Sequence, residues 1–215
     1  MFRLHTYWRS SSAYRVRIAL NLKALDYESV ATHLAAGEQN SEQYLATHAQ
    51  GLVPALEHDG TVLVQSLAII GYLDRLVPEP PLYPADLVGR ARVEAMCHAL
   101  ACDIQPLNNL RVLQYLKGEL GQDADAVKAW YGHWIHQGFR ALETWASEHS
   151  AQGRFVYGDA VTAADCCLVP QVYNARRFDV PLDGYPVLRS IDEHLRTLPA
   201  FVAAAPENQP DAGPA

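Results

Sequence analysis

Lysine is scarce in this chain: 3 lysines stand against 14 arginines among the 17 basic residues. Arginine is the type whose planar fork matches a carboxylate and tolerates partial burial. Two readings of the bias stay open, a genome rich in arginine codons and a set of arginines that bind a small organic acid. Positive charge as a whole is in deficit, with 24 acidic residues and a net charge of −7. Phosphate binding needs a basic face, so no nucleic-acid partner is expected. Cysteine is sparse as well. Cys97 and Cys102 lie five apart, Cys166 and Cys167 are adjacent, and no Cys-x-x-Cys occurs. That spacing encodes neither a zinc site nor a thioredoxin-type dithiol, so no metal is expected and the four read as small buried residues in a reducing compartment. Long hydrophobic runs are missing too. None approaches the roughly 18 residues of a membrane span, and Met1-Phe2-Arg3-Leu4-His5 has no apolar core or small-residue cleavage site of a signal peptide. A cytoplasmic protein with no membrane partner is the expectation.

What remains is ordinary globular material, 215 residues at 49% hydrophobic and 19% charged, about right for two small domains. The first 77 residues alternate strand and helix patterns. Phe2 to Tyr7 alternates like a strand, and Ala13 to Leu25 has helical period. A second strand is predicted around Glu28–His33 and a short helix near Glu42–Thr47. Asp59-Gly60 between two short apolar runs is a hairpin signal, because both turn positions want positive φ. Ser66 is then expected to cap a helix carrying Ile69, Ile70, Leu73 and Leu76. The order β-α-β-α-β-β-α gives a mixed sheet with helices on its faces. Pro78, Pro80, Pro81 and Pro84 suit an extended linker. Everything beyond about Asp86 reads helical, over 86–118, 123–149, 162–177 and 186–197, with a bend at Pro106 and a frayed tail from Pro206. The domains are therefore placed at 1–78 and 86–215, joined by a linker at 79–85.

Several positions invite chemistry, each with a plainer alternative. Ser10-Ser11-Ser12 lies between the first strand and the first helix, where open α/β sheets bind ligands against helix N-termini; one of these serines could equally just cap the helix. Val53-Pro54 precedes a strand. A cis bond there would turn the Val53 backbone toward a ligand, and a trans proline at a strand start would do nothing of the kind. Gln65-Ser66 leads into a helix and offers a cap, an anion site or both. Thr162 and Asp165 read as a capping box, a folding element with no catalytic part.

The block from Arg9 to Leu20, with Val53-Pro54, Gln65-Ser66, Asp103 to Asn109, Gln171 to Phe178 and the terminal Gln209-Pro210-Asp211, resembles the zeta class of glutathione transferases across nearly the whole chain. The resemblance implies an α/β thioredoxin-like N-terminal domain followed by an all-α C-terminal domain, and a homodimer. It implies that Ser11, with Ser10 and Ser12 beside it, stabilises a glutathione thiolate, and that Val53 before a cis Pro54 pairs with the cysteinyl backbone of glutathione. Gln65 and Ser66 would hold the γ-glutamyl carboxylate. Asn109, with Gln105 and Asn108 nearby, would sit where the neighbouring subunit approaches glutathione. Arg9 and Arg177 would meet the carboxylates of an acid substrate, with Arg111 as a further cation. Two features depart from the class. Ser12 stands where many members have cysteine, and Leu110 precedes a single Arg111 where some maleylpyruvate isomerases have two arginines.

The activity so implied is glutathione-dependent cis–trans isomerisation of a maleyl-type diacid, maleylacetoacetate or maleylpyruvate, in aromatic catabolism. A thiolate adds to the cis double bond, the resulting single bond rotates, and expulsion of the thiolate leaves the trans product. No metal and no covalent bond to the protein are needed. The alternatives are a general glutathione transferase acting on small electrophiles and a glutathione-binding module without turnover.

Overall fold

The computed structural model describes residues 1–213. The chain divides into two compact units, one made of Met1–Leu82 with Thr197–Ala215 and the other of Tyr83–Arg196.

The first unit is built on a four-stranded sheet ordered β2-β1-β3-β4, from β1 (Phe2–Thr6), β2 (Tyr27–Ala31), β3 (Ala55–His58) and β4 (Thr61–Val64). β1 pairs in parallel with β2 and antiparallel with β3, and β3 pairs antiparallel with β4. The parallel pair requires a crossover, supplied by α1 (Ser11–Leu22). The antiparallel pair closes through Asp59 and Gly60 at φ 47° and 77°, the hairpin that the dipeptide predicts. α2 (Glu42–Thr47) starts at the Ser41 cap, and α3 (Ser66–Leu76) packs on α1. Leu4, Val16, Ile18, Leu20, Leu56, Ile69, Ile70 and Leu73 are wholly inaccessible and form this unit's core. α1 ends three residues earlier than its hydrophobic period predicts. Ala24 turns left-handed at φ 51°, while Lys23 is held by Asp74 at 2.8 Å and the Pro80 carbonyl at 2.5 Å. The same Asp74 accepts the Leu82 N–H, so the proline-rich stretch stays with the first unit as far as Leu82.

The second unit is helical: α4 (Leu87–His98), α5 (Leu110–Gly118), α6 (Ala124–His149), α7 (Ala163–Arg177) and α8 (Pro186–Leu195). A single bent helix over 86–118 is predicted, and the structure corrects this. α4 gives way to a π-helical segment, Ala99–Ile104, and a 3-10 turn, Gln105–Asn108, before Asn109 goes extended and α5 starts afresh. Pro106 has no N–H to return to the helix, so the α-ladder cannot run on through it. The π segment presses Ile104 against Gly138 of α6, where any Cβ would overlap the Ile104 side chain. α7 begins at the predicted capping box. The Thr162 N–H and hydroxyl both donate to the Asp165 carboxylate, at 2.7 and 2.9 Å, and the Val156 N–H donates to its other oxygen at 2.8 Å.

The frayed tail is a second correction. The chain makes α9 (Pro199–Ala204), packs it on α1 within the first unit, and continues through a 3-10 turn at Pro206–Asn208. Gln209 is buried, its amide donating to the carbonyls of Ala203 and Ala205 at 2.9 Å each. A polar, proline-bearing tail is pinned because buried polar groups upstream need its carbonyls and its carboxylate. Residues 214 and 215 lie outside the described residues.

Candidate functional site

Three of the predicted segments leave the sheet at one end. In register, His5 faces Ala55 across β1 and β3, and Ala55 faces Val64 across β3 and β4. The loop Tyr7–Ser10, the pair Val53-Pro54 and the pair Gln65-Ser66 are therefore brought to the same edge, beyond the carboxyl end of β1. This is where an open α/β sheet offers helix N-termini to a ligand.

The serines divide their work. Ser10 is the N-cap of α1, its hydroxyl accepting the Ala13 N–H at 3.2 Å. Ser11 occupies the first helical position, is buried and takes no part in the cap; Ser12 is half-buried. The cap is thus assigned to Ser10, which leaves the Ser11 hydroxyl outside it. The Val53–Pro54 bond is cis, with Val53 buried. Just before it, the Tyr44 hydroxyl donates to the Leu52 carbonyl at 2.6 Å and ties this loop to α2. Burial raises the Tyr44 hydroxyl above its usual pKa and keeps it a donor.

Ser66 does not cap α3 as expected. The cap position is Gln65, and no side chain closes that end of the helix. Ser66 is the first helical residue, and its hydroxyl accepts from Arg15 Nη1 at 3.3 Å across the buried face of α1. Gln65 is held at φ 69°, a left-handed conformation that costs a non-glycine residue about 1–3 kcal/mol and concentrates at functional sites. Its side-chain amide donates to Gln50 at 2.9 Å. Gln50 and Arg15 were not singled out in the sequence. Gln50 carried no signal; Arg15 carried one, as an arginine among the apolar positions of a central helix. The α3 terminus therefore presents unclosed N–H groups, a helix dipole and a buried guanidinium within one turn.

Arg9 rests over the Trp8 ring at 4.0 Å, with its Nε buried and unbonded. Arg177 ends α7 beside the Phe178 ring, 4.8 Å from its centre. Phe178 in turn stacks on Tyr131 at 3.7 Å. Burial pushes the Tyr131 hydroxyl up to about 12, opposed by the charge of Arg177 and a hydrogen bond from it. The neighbouring carboxylates are engaged elsewhere: Asp179 pairs with Lys128 at 3.1 Å, and buried Asp192 pairs with Arg176 at 2.5 Å. Among the described residues, neither Arg9 nor Arg177 has a carboxylate within ion-pair distance.

The remaining predicted positions belong to the second unit. Gln105 opens the 3-10 turn and is half-buried. Asn108 is buried and donates to the Tyr131 carbonyl at 3.1 Å, so Asn108 and Arg177 meet around one residue of α6, which sequence reasoning missed. Asn109 caps α5 by accepting the Arg111 N–H at 3.2 Å, and the Arg111 side chain is exposed. Both asparagines therefore have structural duties of their own.

Residues 1–75 match the glutathione S-transferase N-terminal domain family. A probable maleylacetoacetate isomerase of Vibrio cholerae is 50% identical, with 97% of each chain covered. The holo structure of a maleyl pyruvate isomerase, a bacterial glutathione-S-transferase in the zeta class, superposes with a TM-score of 0.96 at 46% identity, covering 98% of this chain and all of the other. The chain belongs to the zeta class of glutathione transferases. A maleylacetoacetate isomerase from Anaeromyxobacter dehalogenans, with bound dicarboxyethyl glutathione and citrate in its active site, is also 46% identical. It has a TM-score of 0.87 and covers 100% and 98% of the two chains. The zeta-class architecture explains why an α/β unit and a helical unit share one chain, and why the first unit ends its sheet in two helix N-termini.

Proposed function

We propose that this chain is a glutathione-dependent isomerase that converts a maleyl-type diacid to its fumaryl isomer. The observation that carries the reading is full-length similarity to isomerases of this class, one of which holds glutathione joined to a dicarboxyethyl group. The first unit's own geometry supports it: unclosed N–H groups at α3, the Arg15–Ser66 bond and the left-handed Gln65 suit a carboxylate-bearing peptide. Bound glutathione supplies the thiolate that adds to the cis double bond, lets it rotate, and leaves with the trans bond restored.

The chain's residues do the rest. Ser11 donates its hydroxyl to the sulfur and, with the N-terminal dipole of α1, keeps it ionised. Ser10 fixes the helix end and Ser12 completes the turn. Val53, ahead of Pro54, offers its backbone to the cysteinyl residue, while Gln65 and Ser66 take the γ-glutamyl carboxylate. Asn109, with Gln105 and Asn108 nearby, marks where a neighbouring subunit would approach glutathione. Arg9 and Arg177, with Arg111 as a further cation, hold the diacid and steady the charge that develops on it. Two guanidinium groups that have no carboxylate partner among the described residues and are backed by aromatic rings are suited to that task.

A homodimer in the cytoplasm completes the reading. The dimer is supported by exposed Leu87 and Val88 at the start of α4, 84% and 61% accessible. The compartment is supported by four free thiols. The deciding assay follows each diacid by absorbance with and without glutathione. Turnover only with glutathione is expected, and conjugation of a neutral electrophile with no diacid turnover would make the chain a general transferase instead.

A further inference from the structure

The loop from β1 to α1 delivers Arg9 and the serines, and its Trp8 residue is gripped at both its carbonyl and its N–H from within the first unit. On one side stands Arg17 of α1, fully buried. It donates to the Trp8 carbonyl at 3.0 Å, the Tyr7 carbonyl at 3.4 Å, the Thr6 hydroxyl at 3.0 Å and the Ala204 carbonyl at 3.0 Å. On the other side the Trp8 N–H donates to Asp211 Oδ2 at 3.0 Å. Asp211 is brought there by α9 and the turn after it, anchored through Asn21 to the Ala200 carbonyl at 3.0 Å and through Gln209. Among the described residues the second oxygen of Asp211 is buried and accepts no hydrogen bond, and the charges of Asp211 and Arg17 attract one another. The Trp8 ring between these anchors is the platform under the Arg9 guanidinium.

We infer that Asp211 is a positioning residue for Arg9: the C-terminal segment fixes Trp8, and Trp8 aims the arginine that meets the substrate carboxylate. The inference rests on the isomerase reading, in which Arg9 has that role. The first turn of α1 has its own support in the Ser10 cap and the Tyr14-to-Ser10 backbone bond, at 2.8 Å. Loss of Asp211 should therefore fall on Arg9 and spare Ser11.

The test compares Asp211→Ala and Asp211→Asn in the full chain. Trp8 amide exchange by NMR, KM and kcat for the diacid, and glutathione conjugation of a neutral electrophile are measured side by side. Asp211→Ala should speed Trp8 exchange and raise KM for the diacid roughly tenfold, the worth of one charged hydrogen bond, with the neutral reaction within about twofold. Asp211→Asn keeps an acceptor for the Trp8 N–H and should recover most of the loss. Where Asp211→Ala does not fold, Asp211→Glu, which displaces the carboxylate by one methylene, should show the same split. Unchanged exchange and KM would overturn the inference, as would equal losses on charged and neutral substrates without recovery in Asp211→Asn. A wild-type chain that turns over no diacid would sink the isomerase reading separately. The role of Asp211 would then be decided by Trp8 exchange and by whether Asp211→Ala weakens binding of succinate.

Discussion

The N-termini of α7 and α3 are the same kind of object put to opposite uses. At α7 the chain supplies its own cap: Asp165 takes the N–H groups of Val156 and Thr162 and the Thr162 hydroxyl, within a capping box. At α3 no side chain closes the helix, the cap residue sits at φ 69°, and the adjacent serine is tied to a buried arginine. A closed terminus stabilises the fold; an open one, under the proposed function, leaves its N–H groups to the γ-glutamyl carboxylate. The arginines at the end of α7 repeat the contrast side by side, Arg176 spent on Asp192 and Arg177 left with no carboxylate among the described residues.

Opening the closed end should have the largest effect. Asp165→Ala strands two buried N–H groups and removes a cap, and should cost about 3 kcal/mol or more in urea unfolding. The wild-type carboxylate should also make stability depend on pH. Burial pushes Asp165 up to about 6 despite the hydrogen bonds it accepts, above the roughly 3.9 of an unfolded chain. The folded state then binds the proton more tightly, so this residue's contribution is greatest below about pH 4, declines as pH rises through 6 and is level above it. Urea titrations at several pH values should show this slope in wild type and lose it in Asp165→Asn.

At the proposed ligand site the effects should appear in function, with stability little changed. Ser11→Ala should lower turnover about tenfold to a hundredfold while glutathione affinity holds, since only one hydrogen bond to a charged acceptor is lost. An unchanged thiolate absorbance and rate would transfer the role to Ser12, because Ser10 is engaged as the cap. The smallest expected effect separates the two arginines. Arg177→Lys keeps the charge and loses the fork, so KM for the diacid should rise several-fold with the melting temperature unmoved. Arg176→Lys should do the reverse, lowering the melting temperature by loosening the pair with buried Asp192 while KM stays put.

What could be read from the residues was what is decided locally. The Asp59-Gly60 hairpin, the helix at Glu42–Thr47 and the Thr162–Asp165 box are each set by a few adjacent side chains, and each stands where the pattern put it. The break between α4 and α5 was half legible: Pro106 announced an interruption, but whether a helix bends or stops depends on how Asn109 caps the next one and how Ile104 seats on Gly138. The Gln65 conformation and the Arg15–Ser66 bond were illegible because their partners lie on other elements. The tail was misread for the same reason, since composition describes a segment alone and Arg17 and Trp8 lie some 190 to 200 positions away from their partners in it. Among the candidate site residues, a convergence on one sheet end became visible only through strand register.

The first unit is discontinuous, and that imposes a schedule on its synthesis. Residues 1–82 leave the ribosome long before Ala204 and Asp211, which complete the shell around Arg17 and Trp8. At about 5–20 residues per second the interval is on the order of ten seconds. During it the Arg17 guanidinium has only its acceptors on Thr6, Tyr7 and Trp8, and the α1 face later covered by α9 stays open while the helical unit is made. The nascent chain therefore carries a half-finished first unit that is completed only after the helical unit has been made, and a chain cut short before Ala204 would keep every predicted contact residue while the loop beneath Arg9 was held from the Arg17 side alone.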